Sequence, residues 1–219
     1  AGLLPAIYFL FSRAACEAAV DQCAARGVVL TTRAERGEID EVVERRLASL
    51  PTDDRGVLGV ARFFDSVRCG VAAHHAGMIP LFKETVEELF TRGLIKVVFA
   101  TETLALGINM PARSVVLERL DKWNGTAHVP LTPGEYTQLT GRAGRRGIDV
   151  EGHAVVVEHP ALDPSALAGL ASTRSYPLRS AFHPSYNMAV NLIGSVGLAR
   201  TREILESSFA QFQADRAVV

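Results

Sequence analysis

Residues 138–147 read QLTGRAGRRG and place three arginines and three glycines in ten positions. Arginine is permanently charged and presents a planar fork of donors that matches phosphate oxygens. Each glycine costs a helix about 0.8–1 kcal/mol relative to alanine, so the cluster needs a compensating purpose. Just upstream, TPGE (132–135) is a helix-start pattern, with Thr132 as cap, Pro133 in the first turn and Glu135 closing a capping box. A helix begun there places Gln138, Gly141, Arg142 and Arg145 at offsets 0, 3, 4 and 7, along one face. Two guanidiniums one turn apart, beside a glycine that admits another surface, suit a triphosphate. Arg142 and Arg145 would hold the γ-phosphate, and Gln138 would orient nearby groups. An arginine so placed is worth roughly a thousandfold in phosphoryl transfer, or about 4 kcal/mol of barrier, which exceeds the glycine cost. The same spacing also fits a solvated, arginine-rich helix end.

Two further segments offer phosphate contacts. In FATETLALGINMPARSVV (99–116) a buried strand ends at Thr101, a short helix begins, and Gly107 ends it. Strand ends in α/β sheets are where ligands bind, and a helix N-terminus there favours phosphate. Thr101 and Thr103 are candidates for a nucleic-acid backbone phosphate, and Gly107 and Asn109 for a turn that reaches a nucleotide. FLFSR (9–13) repeats the geometry with Ser12, for which simple helix capping is the other reading. HHAG (74–77) follows a strand and has no familiar ligand spacing, so it reads as a polar turn rather than a metal site.

These segments need a scaffold, and the sequence alternates strand and helix patterns. Strands are expected at 6–11, 69–75, 95–101, 113–118 and 153–158, and helices at 12–27, 38–50, part of 53–68, and 80–93. The continuous apolar run AIYFLF suits a strand buried on both faces of a parallel sheet. From about residue 175 the alternation stops and the chain reads as helices. The 219 residues carry a net charge of −1, so no global field draws in a polyanion and any such site is local. Cys16, Cys23 and Cys69 form an odd set without metal-type spacing, which suggests buried thiols in a reducing compartment. LLPAIYFLF lacks a basic flank and reads as an interior strand rather than a leader. No apolar run approaches the ~20 residues of a membrane span.

Taken in order, FLFSR, VAAHHAGMIPLFKETVEELF, VVFATETLALGINMPA and QLTGRAGRRG resemble motifs IV to VI of superfamily 2 helicases. The match is strongest to the superkiller-like DExH-box group, which includes exosome-associated RNA helicases and an actinobacterial branch. The tail LRSAFHPSYNMAVNLIGSVGLARTREILESSFAQFQ is similar to that family's entry into its winged-helix domain, and residues 30–66 carry the resemblance least.

The resemblance implies an α/β fold, a RecA-like parallel sheet flanked by helices, over 1–172. The helical start of a winged-helix domain would follow over 173–219. It implies ATP between two such lobes and a nucleic-acid strand across both. On matching positions, Arg142 and Arg145 become arginine fingers, Gln138 lies beside the nucleotide, and Gly107 and Asn109 couple nucleotide to strand. Ser12, Thr101 and Thr103 contact the strand's backbone. The partners implied are single-stranded RNA or DNA and the first lobe, in a cytoplasmic protein without a membrane segment.

No glycine is followed by lysine, so the phosphate-cradling G-x-x-x-x-G-K-[ST] loop is absent from these residues. DEVV (40–43) lacks the apolar strand that an acidic Mg²⁺ box would follow, and reads as a helix's polar face. ATP and Mg²⁺ are therefore expected to be held mainly by the other lobe, and the 219 residues alone to hydrolyse ATP negligibly. A non-enzymatic nucleic-acid-binding module and a lobe of a protein-translocating ATPase are the other readings. The motor reading requires the two guanidiniums to face a neighbouring lobe and to lie near the edge that bears Ser12 and Thr101.

Overall fold

The computed structural model describes all residues except 1, 49, 106–109, 124–125, 174–179, 181 and 218–219. The chain divides into two units, Ala1–Thr173 and Arg174–Val219.

The first unit is built on five parallel strands: β1 (Ala6–Phe9), β2 (Val71–His74), β3 (Val97–Ala100), β4 (Ser114–Leu117) and β7 (His153–Val156). Their order is β2-β3-β1-β4-β7. β1 is central, with Ala6 opposite Val97 on one side and Ser114 on the other. Side chains alternate between the sheet's faces with the period of two that strands impose. Ile7 and Phe9 enter the larger core with Val98, Ala100 and Val115, whereas Leu10 packs with Val71, Ala73 and Phe99. Helix α1 (Arg13–Ala25) covers the second face through Cys16 and Val20. The first face is covered by α2 (Arg33–Leu47), α4 (Val60–Arg68), α5 (Pro80–Thr91) and α6 (Pro133–Thr140). The short α3 (Thr52–Val57) precedes α4, and α7 (Pro164–Ser172) packs beside α6.

Helix α2 and a hairpin after β4 depart from the sequence expectation. Helix α2 starts at Arg33, not at residue 38, because Thr32 and Glu35 form a capping box ahead of the apolar stripe. Glu35 also accepts from Lys96 Nζ at 2.6 Å, and this contact, with the Thr32 N–H, holds its carboxyl at about 2. The second is an antiparallel hairpin, β5 (Asp121–Trp123) with β6 (His128–Pro130), between β4 and α6. Lys122 on that hairpin bonds Glu135 at 2.7 Å. The three cysteines are free; Cys16 is buried, and loss of solvation pushes its thiol up to about 12, while Cys23 and Cys69 are half-buried.

The second unit contains α8 (Tyr186–Val196), α9 (Leu198–Glu206) and α10 (Phe209–Ala217). Ser185 caps α8, and Gly197 at φ 78° turns the chain into α9. No strand occurs among its described residues. No helix among the described residues is long and apolar enough to cross a membrane.

Candidate functional site

The arginine stretch begins as its sequence suggests and then departs from it. Thr132 Oγ1 accepts from the Glu135 N–H at 3.3 Å, and Glu135 accepts from the Thr132 N–H at 2.8 Å. Tyr136 and Leu139 anchor α6 in the core and leave Gln138 exposed. The helix ends at Thr140 with Gly141 as its C-cap. Gln138, Gly141, Arg142 and Arg145 therefore do not share one helical face; only Gln138 is helical.

The physical reason is in the glycines. Gly144 and Gly147 have φ of 87° and 79°, a left-handed region closed to a continuing helix. In place of a further helical turn the chain makes a parallel bridge, Ala143 to Ala112. The Ala112 N–H donates to the Arg142 carbonyl (2.9 Å), and the Gly144 N–H donates to the Ala112 carbonyl (2.7 Å). Gly152, just before β7, lies against this segment so closely that a Cβ there would stand 2.4 Å from Gly144 N. Gly144 and Gly152 serve the close approach of two backbones.

Both arginines are engaged within the lobe. The Arg142 guanidinium donates to the Ala105 carbonyl. Arg145 donates through Nε to Asp149 Oδ2 and through Nη2 to Asp149 Oδ1, both at 2.8 Å. Its backbone N–H also reaches Asp149 Oδ2, at 3.0 Å. This fork, with the backbone N–H, holds the Asp149 carboxyl well below the usual carboxylate range, and Asp149 raises Arg145 in turn. The Arg145 side chain is 25% exposed against 3% for Asp149. Asp149 was not among the residues singled out from the sequence. Its signal was available: an acid four positions after an arginine.

The hydroxyl residues gather at the carboxyl edge of the sheet. β1 and β3 run side by side in register, Phe9 opposite Ala100. Ser12 follows β1 and Thr101 follows β3. Ser12 Oγ accepts from the Ala15 N–H at 3.4 Å and so caps α1. Phe11, immediately before it, has φ 25°, a strained value for a bulky residue. Thr101 is buried and its Oγ1 lies 2.9 Å from Thr103 Oγ1, while Thr103 is exposed. A 3₁₀ turn over Glu102–Ala105 leads away from Thr101. The structure thus brings Ser12, Thr101 and Thr103 to one edge. It does not bring the backbone of the arginine segment there, because Ala112 precedes β4 at the amino side of the sheet. The link is the 3₁₀ turn, with Thr101 just before it and the Ala105 carbonyl, held by Arg142, at its end. Gly107 and Asn109 lie outside the described residues.

The histidines of HHAG are tied inward. His74 Nε2 lies 2.8 Å from Glu87 Oε1, and His75 Nε2 lies 2.9 Å from Glu17 Oε1. Among the described residues no group of three histidine, cysteine, aspartate or glutamate side chains is placed to hold a metal.

Residues 52–147 match the family model of the helicase conserved C-terminal domain. The chain is 64% identical over 218 residues to a probable helicase, HelY, of Mycobacterium tuberculosis, matching all of this chain and 24% of that protein. It is 39% identical over 214 residues to the human exosome RNA helicase MTR4, matching 98% of this chain and 20% of that protein. Against the mouse superkiller complex protein 2 the identity is 39% over 210 residues, 95% of this chain and 17% of that protein. Residues 52–147 belong to the helicase conserved C-terminal domain family, and the chain as a whole is similar to superkiller-like DExH-box helicases. The chain spans about a quarter of the first of these relatives. The helicase family match takes in Thr101, Thr103, Gln138, Arg142 and Arg145 and leaves Ser12 and Asp149 outside.

Proposed function

We propose that this lobe is the second half of an ATP-driven helicase motor, supplying arginine fingers to a nucleotide and backbone contacts to a single strand of RNA or DNA. The reading is supported above all by one connection. The Thr101–Thr103 hydroxyl pair at the sheet's carboxyl edge is joined by a single 3₁₀ turn to the carbonyl that Arg142 holds. A phosphate change felt by Arg142 is thereby transmitted within a few residues to groups suited to a strand's phosphates.

In this reading Arg142 and Arg145 stabilise charge that builds on the transferring phosphoryl group. Arg142 shares its donors between Ala105 and the phosphate. Gln138, exposed on the last turn of α6, lies beside the nucleotide, and Gly107 and Asn109 complete the coupling segment. Ser12, Thr101 and Thr103 receive backbone phosphates, which carry no sequence information. ATP and Mg²⁺ are held mainly by the first RecA-like lobe, and residues 173–219 begin the winged-helix domain.

In the full-length protein, Arg142→Ala and Arg145→Ala each lower strand-stimulated ATP turnover by roughly a thousandfold and leave single-strand affinity within about threefold, since most of it comes from phosphate contacts elsewhere. Steady-state turnover and fluorescence anisotropy on matched RNA and DNA oligonucleotides measure both. Normal unwinding by either variant refutes the finger assignment. The 219 residues alone show negligible turnover under the same conditions.

A further inference from the structure

We propose that Asp149 is a positioning residue for Arg145: its carboxylate grips one edge of the guanidinium and holds the adjoining edge, formed by the two Nη groups, toward the phosphate. This rests on the reading of Arg145 as an arginine finger.

A guanidinium has two edges that can each make a paired contact with an oxyanion, Nε with one Nη and the two Nη together. Asp149 occupies the first, through Nε and Nη2 at 2.8 Å each. The Nη1–Nη2 edge is left for a second oxyanion. Exposure agrees with that division. The carboxylate is the buried member of the pair, 3% exposed, and the guanidinium side chain reaches solvent at 25%.

The carboxylate is itself fixed to the backbone it serves. The Arg145 N–H donates to the same Oδ2 (3.0 Å), and the Ile148 and Asp149 N–H groups donate to the Arg145 carbonyl at 3.0 and 2.9 Å. Gly144 and Gly147, both at positive φ, close the chain around this turn. A five-residue loop therefore locks an otherwise floppy side chain into one orientation before any nucleotide arrives. Fixing that orientation in advance removes an ordering cost from the transition state. The strongly acidic character of the paired Asp149 keeps the fork charged across the working pH range.

The test is a two-residue cycle in the full-length protein, reading kcat and KM for ATP at saturating single-stranded RNA. Asp149→Asn keeps shape and removes the charge-assisted fork. It lowers kcat about 10- to 100-fold, with KM changed less than about threefold, because orientation acts on the transition state. Asp149→Glu recovers part of the loss. In an Arg145→Lys background, where the second edge no longer exists, Asp149→Asn adds less than about twofold. An unchanged kcat in Asp149→Asn overturns the proposal. So does a raised one, which would make Asp149 a restraint. An equal loss in the Arg145→Lys background also overturns it, as a purely structural effect. If Asp149→Asn does not fold, Asp149→Glu carries the same cycle. Arg145→Ala is run alongside: normal turnover in that variant overturns the finger reading itself, separately from the role of Asp149.

Discussion

The carboxyl edge of the sheet and the arginine segment meet the same kind of ligand in this reading, yet they are held in opposite ways. At the edge, Ser12, Thr101 and Thr103 are neutral hydroxyls in local bonds, a cap at 3.4 Å and a threonine pair at 2.9 Å. Such bonds exchange readily for a passing phosphate, and each is worth only about 0.5–1.5 kcal/mol. The arginine segment is bridged to the sheet through Ala112, packed glycine on glycine against residue 152, and locked by a charged fork. A strand that must slide needs replaceable contacts. A group that must meet a transition state needs a fixed one.

The comparison breaks most sharply on function. Arg145→Ala removes roughly three orders of magnitude of turnover. The double variant Ser12→Ala, Thr101→Val instead weakens single-strand binding by about tenfold, two modest hydrogen bonds' worth. It keeps turnover near normal once the strand is saturating. If the hydroxyl variant lost turnover at saturation, the two regions would not be separable.

A smaller effect tests rigidity. Gly152→Ala sets a Cβ 2.4 Å from Gly144 N and 2.5 Å from the Ala143 carbonyl carbon, both backbone. It costs about 1–3 kcal/mol of stability by overpacking. Denaturant unfolding measures this, and Gly169→Ala, with open space around its site, is the control.

The smallest effect concerns acid. Glu35 is lowered in the folded state from 4.5 to about 2 by Lys96 and Thr32, so it contributes stability that is fully present above pH 4.5. That contribution fades as pH falls from 4.5 toward 2. Glu35→Gln lowers stability at neutral pH, where the contact with Lys96 is lost, and flattens the acid limb of the unfolding midpoint, because the contribution that fades toward pH 2 is gone. An unchanged acid limb would remove the ion pair from the account.

Much of the scaffold was legible because local chemistry and tertiary structure agree there. The apolar runs around Ile7, Val98 and Val115 became the parallel strands, and the Thr132–Glu135 pair became a capping box. The candidate site was legible in its residue types and not in its geometry. Extrapolating the helix from Thr132 through Arg145 ignored that Gly152, eight residues beyond Gly144, packs back against it. That partner makes the bridged conformation the better packed one. The hairpin was missed because DKW and HVP are too short and too polar to show strand alternation. Asp149 was missed although it stands four positions after Arg145, because that spacing was not tested for an ion pair while the arginine was read as facing outward.

The Ala112–Ala143 bridge has a mechanical corollary. A peptide stitched to the leading end of a sheet strand cannot swing as an isolated flap. To advance the backbone that carries these guanidiniums by an ångström, the strand it is stitched to must travel with it.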